Sequence, residues 1–162
     1  MPLINVGSGL SPLKFDLMSF VIDWNQTDPL QFQCTLRSFQ HSLSTSFTDV
    51  ATLCNPGGEA PGKVVEQLDL EMVWTHGTTG PWNKLRPLVN TVHSFAALPK
   101  GTGATSAANP EMSGSVWIPP VPFITATEVN GYSIVPLTFK ISGIPIYDMD
   151  GTPVYAGHTV PA

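Results

Sequence analysis

The chain has 162 residues, a length that favours one domain with a core of useful size. Charged residues make up only 12%, and the net charge of −5 comes from 12 acidic and 7 basic residues with no basic cluster, which excludes tight nucleic-acid binding. No apolar run approaches the roughly 18 residues of a membrane span, and Met1-Pro2-Leu3-Ile4-Asn5-Val6-Gly7 lacks the basic and apolar regions of a secretory signal.

A chain so poor in charge must cover itself with Ser, Thr, Asn, Gln, Gly and Pro, or bury surface against other copies. The second option makes assembly the favoured expectation, with synthesis in a cytosol. Fourteen Gly and 16 Pro, spread throughout, exclude long helices. The two cysteines, Cys34 and Cys54, are too few for a disulfide scaffold. Reduced, buried thiols are the default, and a bond would need Cα atoms within roughly 7 Å.

In chain order, residues 1–12 read as an extended arm hinged at Gly7 and Gly9 and stopped by Pro12. Leu13 to Ile22 is a first strand, and Asp23 to Pro29 a turn cluster. From Leu30 to Ser44 the pattern alternates, with Phe32, Cys34 and Leu36 on one side and Gln31, Gln33, Thr35 and Arg37 on the other, so a strand is expected. Thr48 to Leu53 could form one helical turn with Thr48 as N-cap. Asn55-Pro56-Gly57-Gly58 to Pro61-Gly62 is punctuation before the best-patterned strand, Lys63 to His76. There Leu68, Leu70, Met72 and Trp74 face one way and Gln67, Asp69, Glu71 and Val73 the other, as in a sheet with one buried and one wet face.

Pro81 to Val89 is the expected helix, with Pro81 near N1 and Pro87 ending it. Thr91 to Leu98 is a strand, and Pro99 to Pro110 a Gly/Ala/Thr/Ser loop of low packing value. Gly114 to Ile124 is β-rich, but Pro119, Pro120 and Pro122 suit an edge or a bulge. Asn130-Gly131 turns the chain into Tyr132 to Ser142, where Val135, Leu137, Phe139 and Ile141 oppose Pro136, Thr138 and Lys140. The Pro- and Gly-punctuated tail is expected to lie over a neighbour or to move freely. The sum is a mainly β chain: a β-sandwich or partly closed barrel with one short flanking helix and long loops.

Covalent chemistry has little support. His41, His76, His93 and His158 form no His-x-x-x-His motif, and no Cys-x-x-Cys is present, so no metal or other cofactor is expected. Gly7-Ser8-Gly9 is no nucleophile elbow, and Gly57-Gly58 is followed by neither Gly-Lys-Ser/Thr nor a helix. Asp69 and Glu71 lie on one strand face roughly 7 Å apart, yet carboxylates on a wet face are common and no partner group stands nearby. Asp148-Met149-Asp150-Gly151-Thr152 lacks the terminal Glu of a calcium loop and reads as a turn. Trp74, Trp82 and Trp117 read as core or interface anchors, and Trp24, beside a turn, stays open for a surface contact.

Five ordered phrases carry a family resemblance: Thr48-Asp49-Val50 with Cys54-Asn55-Pro56-Gly57; Ala60-Pro61-Gly62; Gly80-Pro81-Trp82-Asn83-Lys84-Leu85; Asn109-Pro110 before Ser113-Gly114-Ser115-Val116-Trp117-Ile118-Pro119; and the closing Gly143-Ile144-Pro145. Over residues 13–145 the chain resembles the major tail tube proteins of long, non-contractile-tailed bacteriophages, with the Pro119-Pro120-Pro122 cluster and a C-terminal extension, 146–162, as departures.

The resemblance implies a β-sandwich with a flanking helix. Its copies form rings, expected to be hexamers, whose inner sheets join into one barrel and stack into a tube that conducts DNA during ejection. It implies a virion structural protein and no enzyme, assembled in the host cytoplasm. Expected partners are other copies, a tape measure protein, a tail terminator and a distal tail protein, with DNA passing unbound. On this reading Gln67, Asp69, Glu71, Thr138 and Lys140 line the lumen. Asn5, Asp49, Asn55, Gly58 and Thr105 stand in segments that make ring-to-ring contacts. The competing readings are a head decoration or head–tail joining protein and, from another class, a glycan-binding β-sandwich module, for which only Trp24 with Asn25 speaks.

Overall fold

A computed structural model describes residues 18–32, 35–49, 59–123 and 133–158. Among these residues seven strands form one antiparallel sheet in the order β2-β1-β5-β6-β7-β4-β3. They are β1 (Ser19–Ile22), β2 (Leu30–Gln31), β3 (Leu36–Asp49), β4 (Glu59–Val73), β5 (Val92–Leu98), β6 (Glu111–Trp117) and β7 (Ile134–Asp148). The short helix α1 (Pro81–Leu85) and a 3-10 turn (Arg86–Leu88) stand between β4 and β5.

The sheet curls until its two ends face each other. Phe20 of β1 lies 5.8 Å from the Phe39 ring of β3 and 6.0 Å from Phe139 of β7, although several strands separate them in the sheet. Phe32 and Phe95 complete the group around Phe20. Leu68, Leu70, Met72, Val135, Leu137 and Phe139, each at the alternate positions expected of β4 and β7, fill the same core. Burying one such side chain stabilises by roughly 1.5–3 kcal/mol, so the period-two stripe supplies much of the driving force. The β-sandwich or partly closed barrel expected from the sequence is therefore the architecture found.

Several boundaries differ from expectation. The stretch read as one strand from Leu30 is two elements, because Thr35 and Leu36 N–H groups both turn back to the Phe32 carbonyl. A bulge between Leu36 and Ser38 then flips the parity of β3, so Phe39 and His41 pair on the core side with Leu70 and Leu68. Thr48 belongs to β3, paired with Ala60, and is no helix cap. Pro87 sits within the 3-10 turn instead of ending a two-turn helix.

The prolines after Trp117 follow β6, which is an inner strand. β7 runs past Ser142 to Asp148 and takes up Pro136 where it pairs with β4 alone. Gly143 (φ 84°), Ile144 and Pro145 form a bulge opposite Gly114. There a Cβ on Gly114 would stand 3.2 Å from the Phe95 ring and 3.4 Å from the Pro145 Cα. Cys34, Cys54 and Asn130-Gly131 lie outside the described residues.

Candidate functional site

Alternation along β4 puts Gln67, Asp69 and Glu71 on the face away from the core. Register then decides their company: Gln67 is flanked by Ser42 and Lys140, Asp69 by Gln40 and Thr138, and Glu71 by Ser38 and Pro136. The five residues singled out from β4 and β7 thus share one continuous polar face. Thr138 and Lys140 are exposed, and Gln67, Asp69 and Glu71 half-buried. The β3 residues of this face, Ser38, Gln40 and Ser42, escape a reading of the sequence because the bulge reverses their side.

Asp69 is the fixed point. Its carboxylate accepts from Ser42 Oγ at 2.7 Å, from Thr138 Oγ1 at 2.7 Å and from Gln67 Nε2 at 3.1 Å. The Ser42 hydrogen bond most of all, then Thr138, then Gln67, holds its pKa below the ordinary 3.8 against the opposing effect of partial burial. Donors from three strands therefore keep one negative charge in place. Trp117, expected as an anchor, extends the face from β6 beside Lys140 with 47% exposure. Trp74 is buried and donates to the Pro122 carbonyl.

The outer face of β1, β5 and β6 differs. Ser19, Val21, Ala96, Leu98 and Glu111 are all fully buried there. The segment after β7 folds back onto it: Glu111 accepts from the Val154 N–H and from Tyr155 N at 3.2 Å, while His158 Nε2 lies 2.9 Å from its Oε1. His158 Nδ1 lies 2.6 Å from Ser19 Oγ. Gly157 turns where any Cβ would strike the Tyr155 ring. The expectation that the tail lies on a neighbour or moves freely thus gives way, for residues 149–158, to a clasp on its own subunit.

The clasp mimics a Ser-His-acid triad, and so does Thr91–His93–Asp23, where His93 Nε2 lies 2.6 Å from Thr91 Oγ1 and Nδ1 2.9 Å from Asp23. Neither arrangement fits nucleophilic catalysis. Ser19 has no exposed surface. The Thr91 hydroxyl donates to the Leu88 carbonyl at 2.5 Å, leaving no proton for His93 to take, the reverse of the polarity a base needs. Among the described residues no group of three His, Cys, Asp or Glu could hold a metal ion, and no helix is long and apolar enough to cross a membrane.

Of the other singled-out residues, Asp49 ends β3 opposite Glu59. Thr105 is 3% exposed, its Oγ1 accepting from Gly151 N at 2.7 Å. Asn5, Asn55 and Gly58 lie outside the described residues. Trp24 is half-buried, with a buried ring N–H that has no partner among the described residues.

No protein-family model and no curated protein matches the chain. Among solved structures, a chain of the anti-feeding prophage (AFP) baseplate, determined by cryo-EM with 6-fold symmetrisation, aligns with 13% identity and a TM-score of 0.46. The alignment covers 89% of this chain and 98% of that one. At these values the similarity is too low to carry a shared function.

Proposed function

We propose that the chain is a non-enzymatic structural subunit of a long-tailed phage particle, the tail tube protein, whose copies join side by side into rings that stack around a bore for DNA. The observation that carries the reading is the polar face of β3, β4 and β7, where a hydrogen-bonded carboxylate is set into a row of Ser, Gln and Thr. Such a surface suits a wall past which DNA slides. Attraction at many phosphates would multiply into an immobile complex, while scattered negative and neutral groups leave the duplex free.

A second feature supports assembly. Among the described residues β3 is an edge strand of 14 residues paired only with β4. Between Arg37 and Asp49 it carries Ser, Thr, Gln, Phe, Leu and one His, with no Lys, Asp, Glu or Pro to block another strand. A long edge without such protection is a template for pairing, which ring-wise joining of sheets would occupy. On this reading the partners are other copies, a tape measure protein, a tail terminator and a distal tail protein.

Negative-stain electron microscopy of the concentrated purified protein, with light scattering, tests it. Rings or tubes with a central bore are expected. Particles that stay monomeric at every concentration, or that bind glycans without assembling, would overturn it.

A further inference from the structure

β4 and β7 part company halfway along their lengths. Their register runs from Val73↔Ile134 to Gln67↔Lys140 and stops. β4 then continues along β3 to Glu59, and β7 along β6 to Asp148. Between the diverging strands opens a cleft of about 520 Å³, walled by Val64, Val65, Trp117 and Ile144 and carrying Lys63 and Lys140.

Its apolar walls face solvent: Ile144 is 91% exposed and Val64 52%. Neither lysine has an ion-pair or hydrogen-bond partner among the described residues. The one carboxylate of the lining, Glu66, is already engaged, by His41 at 3.0 Å and by the Tyr147 hydroxyl at 3.2 Å. The cleft therefore asks for an apolar side chain flanked by carboxylates that no cation already holds.

The same molecule presents that combination elsewhere. Where β7 ends, Asp148 Oδ1 accepts from Asp150 N at 2.8 Å and Gly151 turns the chain at φ 107°. Met149 stands between the two acids in the chain with 54% exposure, three residues after Ile146 at 60%. We infer that the cleft receives the Asp148–Gly151 turn of a second copy, with Met149 against the apolar walls and the acidic pair facing Lys63 and Lys140. Because donor turn and receiving cleft are different surfaces, the contact is head-to-tail, the kind that closes into rings or runs on as a filament.

The inference deepens the tail-tube reading and rests on it. Lys140 stands at the margin of the face proposed to line the bore, where two unpaired cations would hold passing phosphates. Carboxylates from the next copy would neutralise them.

The test is a short bismaleimide linker applied to assembled protein carrying Lys63→Cys and Met149→Cys, with Cys34 and Cys54 changed to Ser. A ladder of covalent multimers is expected from the double variant, covalent dimers and nothing larger from a mixture of the two single variants, and neither when only one single variant is present. Electron microscopy of the unsubstituted chain decides the underlying reading separately. Tubes without the ladder would sink the cleft contact and leave the tail-tube reading standing, whereas absence of any assembly sinks both. A ladder obtained instead with Lys63→Cys and Glu59→Cys would give the cleft to the β3–β4 end and overturn the assignment. Charge reversal supplies an independent check. Lys63→Glu with Lys140→Glu should abolish assembly and Asp148→Lys with Asp150→Lys added should restore it, while unchanged assembly by the first pair contradicts the proposal.

Discussion

The two halves of the sheet treat their outer surfaces in opposite ways. Around Asp69, where β3, β4 and β7 pair, the outward side chains Ser42, Gln67 and Thr138 are polar and at least partly exposed, and the acid is held by these neutral groups. Over β1, β5 and β6 an acid of the same chemistry, Glu111, is fully buried and held by two backbone N–H groups and His158. The difference teaches where each carboxylate acts. A buried acid with three donors is part of what keeps the chain folded, because removing either partner strands the other without solvent. An acid on an open face contributes little to folding and is retained at small cost for what it presents outward.

That contrast can be broken by substitution. Glu111→Ala should be the most damaging, leaving the Val154 and Tyr155 N–H groups and His158 unpaired, with a loss of about 3–5 kcal/mol in urea denaturation. Loss below about 1 kcal/mol would show that the clasp opens without consequence. His158→Ala should come next, at about 1–3 kcal/mol, since Ser19 and Glu111 each lose one partner. Asp69→Asn should cost no more than about 1 kcal/mol at neutral pH, because its donors can turn to solvent.

The Asp69 effect has a definite pH sign. Its carboxyl releases its proton more readily in the folded chain than at the ordinary 3.8. Its contribution is therefore complete above pH 3.8 and is lost as pH falls through the lower folded value. The stability gap between the native chain and Asp69→Asn should accordingly hold steady above pH 3.8 and narrow as the pH falls below it. A gap that widens with acid would mean the carboxylate is not held as described. Ser42→Ala should have the smallest effect on stability, within about 0.5 kcal/mol. It should still raise the Asp69 pKa, measurable by carboxyl NMR titration, since the Ser42 hydroxyl is the largest cause of its depression.

The two halves also differ in how much of them the sequence betrays. β4 and β7 are legible because one face is buried and the other wet. Leu68-Asp69-Leu70-Glu71-Met72 and Val135 to Phe139 therefore alternate without interruption, and the register between them follows from matching the stripes. β3 is legible only in part, because a bulge between Leu36 and Ser38 reverses the side chains that follow it, as far as a second irregularity between Thr45 and Phe47, and leaves no mark in composition.

The clasp is not legible at all. Ser19 and His158 are separated by 139 positions, and neither residue type announces a partner at that range. The loop from Pro99 to Pro110 looked empty of packing value because its residues are small. Yet Asn109, 3% exposed, holds it together by accepting from Lys100 N and donating to the Thr102 and Ala104 carbonyls. Short polar residues that fold a loop onto itself are indistinguishable in sequence from those that leave it open.

A cryo-EM map of the assembled protein tests the central claim most directly. A closed cylinder of repeated copies is expected, in which Asp69, with Ser42 and Thr138 beside it, points into the hollow. A map showing that carboxylate on the outer wall, or copies that touch without enclosing any channel, would contradict it.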